Sequence, residues 1–334
     1  MRCASWHPRV LQIQVSNALS KGWSVIGRLG EDGSTRRYTR VQKNHVSAIL
    51  MECKGDTPGH RIDDFIRIGT WLRSIGLSAP EIYEGDEAAG YLVLEDFGDV
   101  SFKAALEKES PQKLYGLAAD VLNHLRAVEC PLVLPDYFRS HVHKGHRRII
   151  DWYVPMVLGK FNDDALGESY LAAWQDVEDV LPEPQRGFLH IDFHAENLMF
   201  LPGKAGVKQC GILDFQGAMR GPAAYDLGNL LEDARIDVPD GIRQDILQRQ
   251  EKDFVTWYRV LTTQFHCRLM GQFIKLAIGG KPQYLQYLPR VAAYLEHGLE
   301  DPLLKPVQSW FDQHGVTFGQ VPRVDVSLVR PDAF

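Results

Sequence analysis

Two short apolar runs, residues 198–201 and 210–213, each abut a polar signature, and together they constrain the chain more than any other feature. The first run follows His190-Ile191-Asp192-Phe193-His194-Ala195-Glu196-Asn197, and the second leads into Asp214-Phe215-Gln216. The loop before the first run and the strand of the second read as a turnback hairpin. Such a hairpin brings Asn197 and Asp214, distant in sequence, to one end.

Phosphoryl transfer to a hydroxyl needs a group that accepts the hydroxyl's proton or hydrogen bond, and oxygen ligands for the Mg2+ that bridges nucleotide phosphates. Asp192 suits the first role as catalytic base. Asn197 offers a neutral carbonyl oxygen to the metal and Asp214 a carboxylate, so Asp192, Asn197 and Asp214 form the catalytic set, with Asn197 and Asp214 as metal ligands. Singly, each has a plain explanation: an Asp in His-x-Asp caps a turn, an Asn fills one, and an Asp ends a strand. Their joint order, each set against an apolar run, favours the chemistry. His190 is expected to brace the loop by bonding a backbone carbonyl. His194 lies near the transferred phosphate or packs the loop. Asp226 either caps a helix or braces the loop's backbone.

Strands are expected at 25–29, 38–42, 47–52 and 91–94, around one helix at 62–74 that ends at Gly76, where positive φ suits glycine. Helices follow at 113–129, 223–234, 241–261, 264–278, 283–297 and 303–314, while 131–167 reads as an irregular insertion. The fold class is therefore α+β: a β-rich N-terminal lobe of residues 1–97 and a mainly helical C-terminal lobe of 98–334, meeting near Glu95-Asp96-Phe97-Gly98-Asp99. The glycine-rich stretch 27–40 lies between two strands and carries Gly33, Ser34, Thr35, Arg36 and Arg37, which have the donors and charge to meet phosphate. These five, with Glu95 and Phe97 at the lobe boundary, are the candidate nucleotide contacts.

A formal net charge of -6 gives no basic footprint for nucleic acid or for an anionic membrane surface. The five cysteines are scattered and never paired as Cys-x-x-Cys, against a disulfide framework or a zinc knuckle. Residues 1–19 mix Arg2, His7, Arg9 and Gln12 into their apolar positions, unlike a signal peptide, and no segment reaches the roughly 20 apolar residues of a membrane span. A cytoplasmic location is expected.

His190 to Asn197, Asp214 to Gln216 and Gly221-Pro222-Ala223-Ala224-Tyr225-Asp226-Leu227 make the chain resemble the aminoglycoside phosphotransferase family, relatives of the protein kinases, over nearly its whole length. The resemblance implies a bilobal protein-kinase-like fold that uses ATP and Mg2+. Longer stretches, among them Gly33-Ser34-Thr35-Arg36-Arg37-Tyr38 and Leu230-Leu231-Glu232-Asp233-Ala234-Arg235, are similar to the bacterial anomeric N-acetylmuramate/N-acetylglucosamine kinases of cell-wall recycling. That likeness implies a small-molecule hydroxyl acceptor, an amino sugar. Acceptor contacts would come from Glu232, Asp233, Trp257, His266 or Arg268.

One departure stands out. The lysine that ends the third strand of kinases is replaced, with Met51 in its place and Phe65 near that of its acidic partner, so Lys54, Arg37 or Arg40 is expected to compensate. Three other readings compete. A protein kinase would need a longer platform than the segment between Asp214 and Asp226. An aminoglycoside kinase would gather acidic residues for a polycation, whereas charges past Asp226 nearly balance. A non-catalytic nucleotide-binding module would explain the missing lysine but not the retained Asp192, Asn197 and Asp214.

Overall fold

The structure, a computed structural model, describes residues 21–29, 36–53 and 61–333. Strands β1 (Ser24–Arg28), β2 (Arg37–Lys43), β3 (Val46–Glu52), β4 (Ile82–Asp86) and β5 (Tyr91–Glu95) build one sheet in the order β1-β2-β3-β5-β4, antiparallel throughout. Asn44 and His45, both at positive φ, make the two-residue turn between β2 and β3, and Lys43 pairs with Val46. Trp23, Val41, Ala48, Leu50, Tyr91 and Val93 are buried together on one face of the sheet. Helix α1 (Ile62–Ser74) follows β3 and ends at Gly76, whose φ is +87°. Strand β4, an edge strand carrying Glu84, Gly85 and Asp86, has too little apolar alternation to be seen in the sequence.

The chain then forms α2 (Phe102–Ala105), α3 (Pro111–Ala127), α4 (His141–Lys144), α5 (Val154–Leu158) and α6 (Asp164–Glu178). Four short strands come next: β6 (Arg186–Leu189), β7 (Leu198–Phe200), β8 (Cys210–Ile212) and β9 (Met219–Pro222). Helices α7 (Ala224–Leu231), α8 (Asp240–Leu247), α9 (Lys252–Ile278), α10 (Leu288–Leu299) and α11 (Lys305–His314) complete it.

Two compact units result. One holds the described residues up to Ser110 together with Ala195–Ala218; the other holds those of Pro111–His194 and Met219–Phe334. The sheet-bearing unit thus extends past residue 97 and takes in β7 and β8 from late in the chain. Packing explains this: the Ile212 N–H donates to Ser78 O at 2.8 Å, the Phe200 N–H to Val100 O at 2.8 Å, and Phe215 stacks on Phe65 of α1 with centroids 4.8 Å apart. In the helical unit β6 pairs antiparallel with β9, and the core gathers Ile149, Tyr153, Trp174, Phe273, Leu295 and Phe311.

Two expectations are corrected. Residues 131–167 are not an irregular insertion: they carry α4, a π-helical turn at Ile149–Tyr153, α5 and the start of α6, because Ile149, Ile150, Trp152 and Tyr153 are all buried in the core. The break expected between residues 261 and 264 does not exist either. Helix α9 runs unbroken through Thr262 and Thr263, whose hydroxyls donate to the carbonyls of Tyr258 and Arg259 four residues back. The chain turns earlier, at 248–251, where the Arg249 and Gln250 N–H groups close tight bonds to Ile246 O and Leu247 O.

Candidate active site

In the helical unit, β6 delivers the loop that carries Asp192. Its backbone is held by two side chains of α7. Asp226 Oδ2 accepts the His190 N–H at 2.6 Å and Oδ1 the Ile191 N–H at 2.9 Å, while Asn229 Nδ2 donates to Ile191 O at 2.8 Å. Positions 226 and 229 are three apart and so share one helix face. The clamp holds Ile191 at φ +77°, a conformation rare for a β-branched residue that only surrounding structure can maintain. Asp226 therefore braces the loop rather than capping a helix. Asn229 is a loop-holding residue that sequence reasoning missed; the signal was a second polar residue three positions on in the otherwise apolar helix text Ala-Tyr-Asp-Leu-Gly-Asn-Leu-Leu.

Burial pushes the Asp226 carboxyl up to about 7, with the charge of Asp192 acting the same way and the two N–H bonds opposing. Asp192 behaves oppositely. Burial would raise its carboxyl, but the hydrogen bond and charge of His194, joined by the charges of Arg235 and His190, outweigh it and hold the group well below the usual range. Its side chain is 56% exposed, with Oδ1 3.4 Å from His194 Nε2. His194 thus partners Asp192. His190, buried, lies with Nδ1 3.3 Å from the Asp192 N–H, which donates to it, so it braces the loop through a backbone amide. The result is an ionised, accessible carboxylate on a fixed backbone, suited to orienting an attacking hydroxyl.

In the sheet-bearing unit, β7 and β8 pair antiparallel with Leu198 opposite Ile212, and the Leu213 N–H donates to Asn197 O at 3.0 Å. The expected hairpin therefore forms and sets Asn197 and Asp214 at one end of it. Asp214 sits at φ +58° with its side chain 44% exposed. Its Oδ1 accepts from buried Gln216 and lies 3.5 Å from Nη1 of Arg36, whose side chain is only 1% exposed. Burial raises the neighbouring Tyr38 phenol, Arg36 opposes the rise and Asp214 adds to it.

Of the candidate nucleotide contacts, Gly33, Ser34 and Thr35 lie outside the described residues, as does Lys54. Arg37 pairs in register with Glu52, a buried carboxyl that burial raises and Arg37 opposes. Glu95 ends β5 and bonds Lys204 at 3.3 Å and Arg73 at 3.5 Å. Phe97 packs on Gly211, with Lys204 Nζ 5.1 Å from its ring centre. Arg40 is held at 2.7 Å by Asp96 and 2.8 Å by Asp99, while Arg36 lies beside Asp214.

The acceptor candidates separate into two sets. Trp257 donates to Pro182 O at 2.8 Å, Arg268 donates to Tyr225 OH at 3.0 Å, and His266, stacked on Tyr294, is pushed down to about 3 by burial. Glu232 accepts from Tyr258 OH at 2.7 Å within the same packed group as His266. Asp233 differs: it is buried, accepts the Arg235 N–H at 2.8 Å, and so positions an arginine whose charge reaches Asp192.

Residues 25–261 match the phosphotransferase enzyme family, APH. The chain is 31% identical to the N-acetylmuramate/N-acetylglucosamine kinase of Caulobacter vibrioides, covering 86% of this chain and 91% of that protein. The protein of the same name from Pseudomonas aeruginosa is 30% identical over 83% and 86% of the two chains. The fold is shared with choline kinase LicA from Streptococcus pneumoniae at a TM-score of 0.58 and 13% identity, over 90% of this chain and 98% of that one. Among the described residues no helix is long and apolar enough to cross a membrane. With a family match over most of its length and kinase relatives near 30% identity, the chain belongs to the phosphotransferase enzyme family and is a phosphotransferase of protein-kinase-like fold.

Proposed function

We propose that this phosphotransferase moves the γ-phosphate of ATP onto the anomeric hydroxyl of N-acetylmuramate or N-acetylglucosamine, in the cytoplasm where ATP is supplied. The observation that carries the reading is the extent of likeness to two kinases named for those sugars, which spans more than four-fifths of each chain. The site's chemistry supports it. Asp192 accepts the hydrogen bond of the attacking hydroxyl and directs its lone pair, a role that suits a carboxylate which stays ionised. Asn197 and Asp214 would hold Mg2+, and they fit it: both are hard oxygen donors on one hairpin, and the Asp214 carboxylate is half-exposed. When bound, the ion supplies charge neutralisation to the phosphates. The Gly33–Arg37 stretch, with Glu95 and Phe97, would line the nucleotide's place, and the helical unit would bind the sugar.

The test is ADP release from ATP and Mg2+ with a panel of sugars and aminoglycosides. Turnover is expected with N-acetylmuramate or N-acetylglucosamine, and Asp192→Ala should lower it by roughly 10²- to 10⁴-fold. Turnover with aminoglycosides alone would overturn the acceptor. Thermal stabilisation by ATP with no turnover on any acceptor would point to a nucleotide-binding module.

A further inference from the structure

In the helical unit, the end of α3, the 128–134 segment that follows it and the β6–β9 pair form a cavity of about 330 Å³, with Arg126, Leu132, Leu134, Arg186, Phe188 and Arg220 in its wall. No residue of that wall belongs to the Asp192 loop or to the Asp226–Asn229 clamp. Phe188 of β6 stands directly opposite Arg220 of β9, so an aromatic ring and a guanidinium side chain share one face of the pair. The three arginines are committed to different extents. Arg186 forms an ion pair with Asp136. Arg126 donates to the neutral Gln250 side chain at 2.9 Å and lies 4.6 Å from the centre of the Phe254 ring, and neither contact cancels its charge. Arg220 is exposed, and among the described residues its guanidinium has no ion pair and no hydrogen bond. Only its backbone is engaged, its N–H donating to Pro135 O at 2.8 Å and its carbonyl accepting the Tyr137 N–H at 2.9 Å. Glu129, exposed on the same wall, carries one opposing charge. With Arg186 offset by Asp136, Arg126 and Arg220 leave the wall positive, although the chain as a whole carries a net charge of -6.

We infer that this cavity is a second binding site, one that takes a small organic phosphate of monosaccharide size. Two guanidinium groups without an ionic partner match the oxygens of a phosphate, which accepts planar, paired donors better than any neutral group does. Leu132, Leu134 and Phe188 give the remainder of the wall an apolar character suited to a carbon skeleton. A bare inorganic ion would leave those side chains against water and most of the volume unfilled. The inference does not depend on the proposed sugar kinase activity, because none of the groups assigned to that activity lines the cavity.

Calorimetric titration of the full chain with glucose 6-phosphate, inorganic phosphate and glucose, without nucleotide, tests the site. Glucose 6-phosphate should bind, and the other two should bind at least about 10-fold more weakly. Arg220→Ala should weaken glucose 6-phosphate by roughly 10-fold or more, and Arg220→Lys should recover part of the loss, since it keeps the charge but not the fork. Should the Ala variant fail to fold, Arg220→Gln carries the same comparison. Asp192→Asn should leave the affinity within about twofold, which separates this site from the acceptor's place. Absence of binding to the wild-type chain below about 10 mM would overturn the inference, as would wild-type affinity in Arg220→Ala. Inorganic phosphate binding as tightly as the sugar phosphate would overturn the ligand class. A change of affinity in Asp192→Asn that Arg220→Ala does not produce would put the probe at the catalytic carboxylate, and that too defeats the proposal.

Discussion

Asp192 and Asp226 are two carboxyls whose environments push them apart. Asp192 is held ionised by His194 and nearby cations, so protonation of Asp192 should not produce the acid limb of the activity profile above about pH 4. Asp226 has a carboxyl raised from 3.8 to about 7, so the folded chain holds its proton more tightly than the unfolded chain does. Its contribution to stability is full below pH 4 and is lost as pH rises toward 7. Urea unfolding across that range should show the decline, and Asp226→Asn should flatten it. The same substitution replaces one of the two oxygens facing the His190 and Ile191 N–H groups with an NH2 that cannot accept, so it should also cost roughly 1–3 kcal/mol. Catalysis should weaken with it, because Ile191 would no longer be held at its unfavourable φ. The sequence presented Asp226 with two readings of equal chemistry. Only the positions of the two N–H groups separated them.

Helices were legible where an apolar stripe ended on a known stop, as α1 does at Gly76. They were illegible where the period was broken by burial on all sides. The π-helical turn at Ile149–Tyr153 offers no amphipathic stripe, since four of its five residues are buried, and its identity as structure comes from α9. Gly271 of α9 is where the two elements meet: a Cβ there would lie 2.0 Å from the carbonyl oxygen of Arg148, a backbone atom that cannot swing aside. Gly271→Ala should therefore destabilise the chain by about 3 kcal/mol or more, or prevent folding. Gly116, inside α3, has nothing within 4 Å of where a Cβ would sit, so Gly116→Ala should be neutral or stabilise by up to about 1 kcal/mol. Thermal melts of the two variants make the comparison.

At the scale of the whole chain, the sheet-bearing unit is completed by residues 195–218, which arrive more than eighty positions after its first stretch ends. Phe65 and Gly69 of α1 pack on Phe215 from that late segment. A fragment of residues 1–110 would leave this helix face open to water and lose the β7–β8 hairpin, so it should fail to give a cooperative melt or dispersed amide resonances. Adding 195–218 through a short linker should recover at least part of both.

The sequence by itself determined the class of chain. Its strand and helix periods, the two apolar runs and the spacing of Asp192, Asn197 and Asp214 are local properties, readable because hydrophobic period and turn chemistry act over a few residues. Tertiary structure alone decided which polar groups meet. That Asn229 holds Ile191, that Arg36 lies beside Asp214 while Arg40 is held by Asp96 and Asp99, and that Ile149–Val154 belongs to the core follow from contacts between residues tens to hundreds of positions apart. No local period encodes such contacts, because they are set by which buried charges and donors find partners once the chain has collapsed.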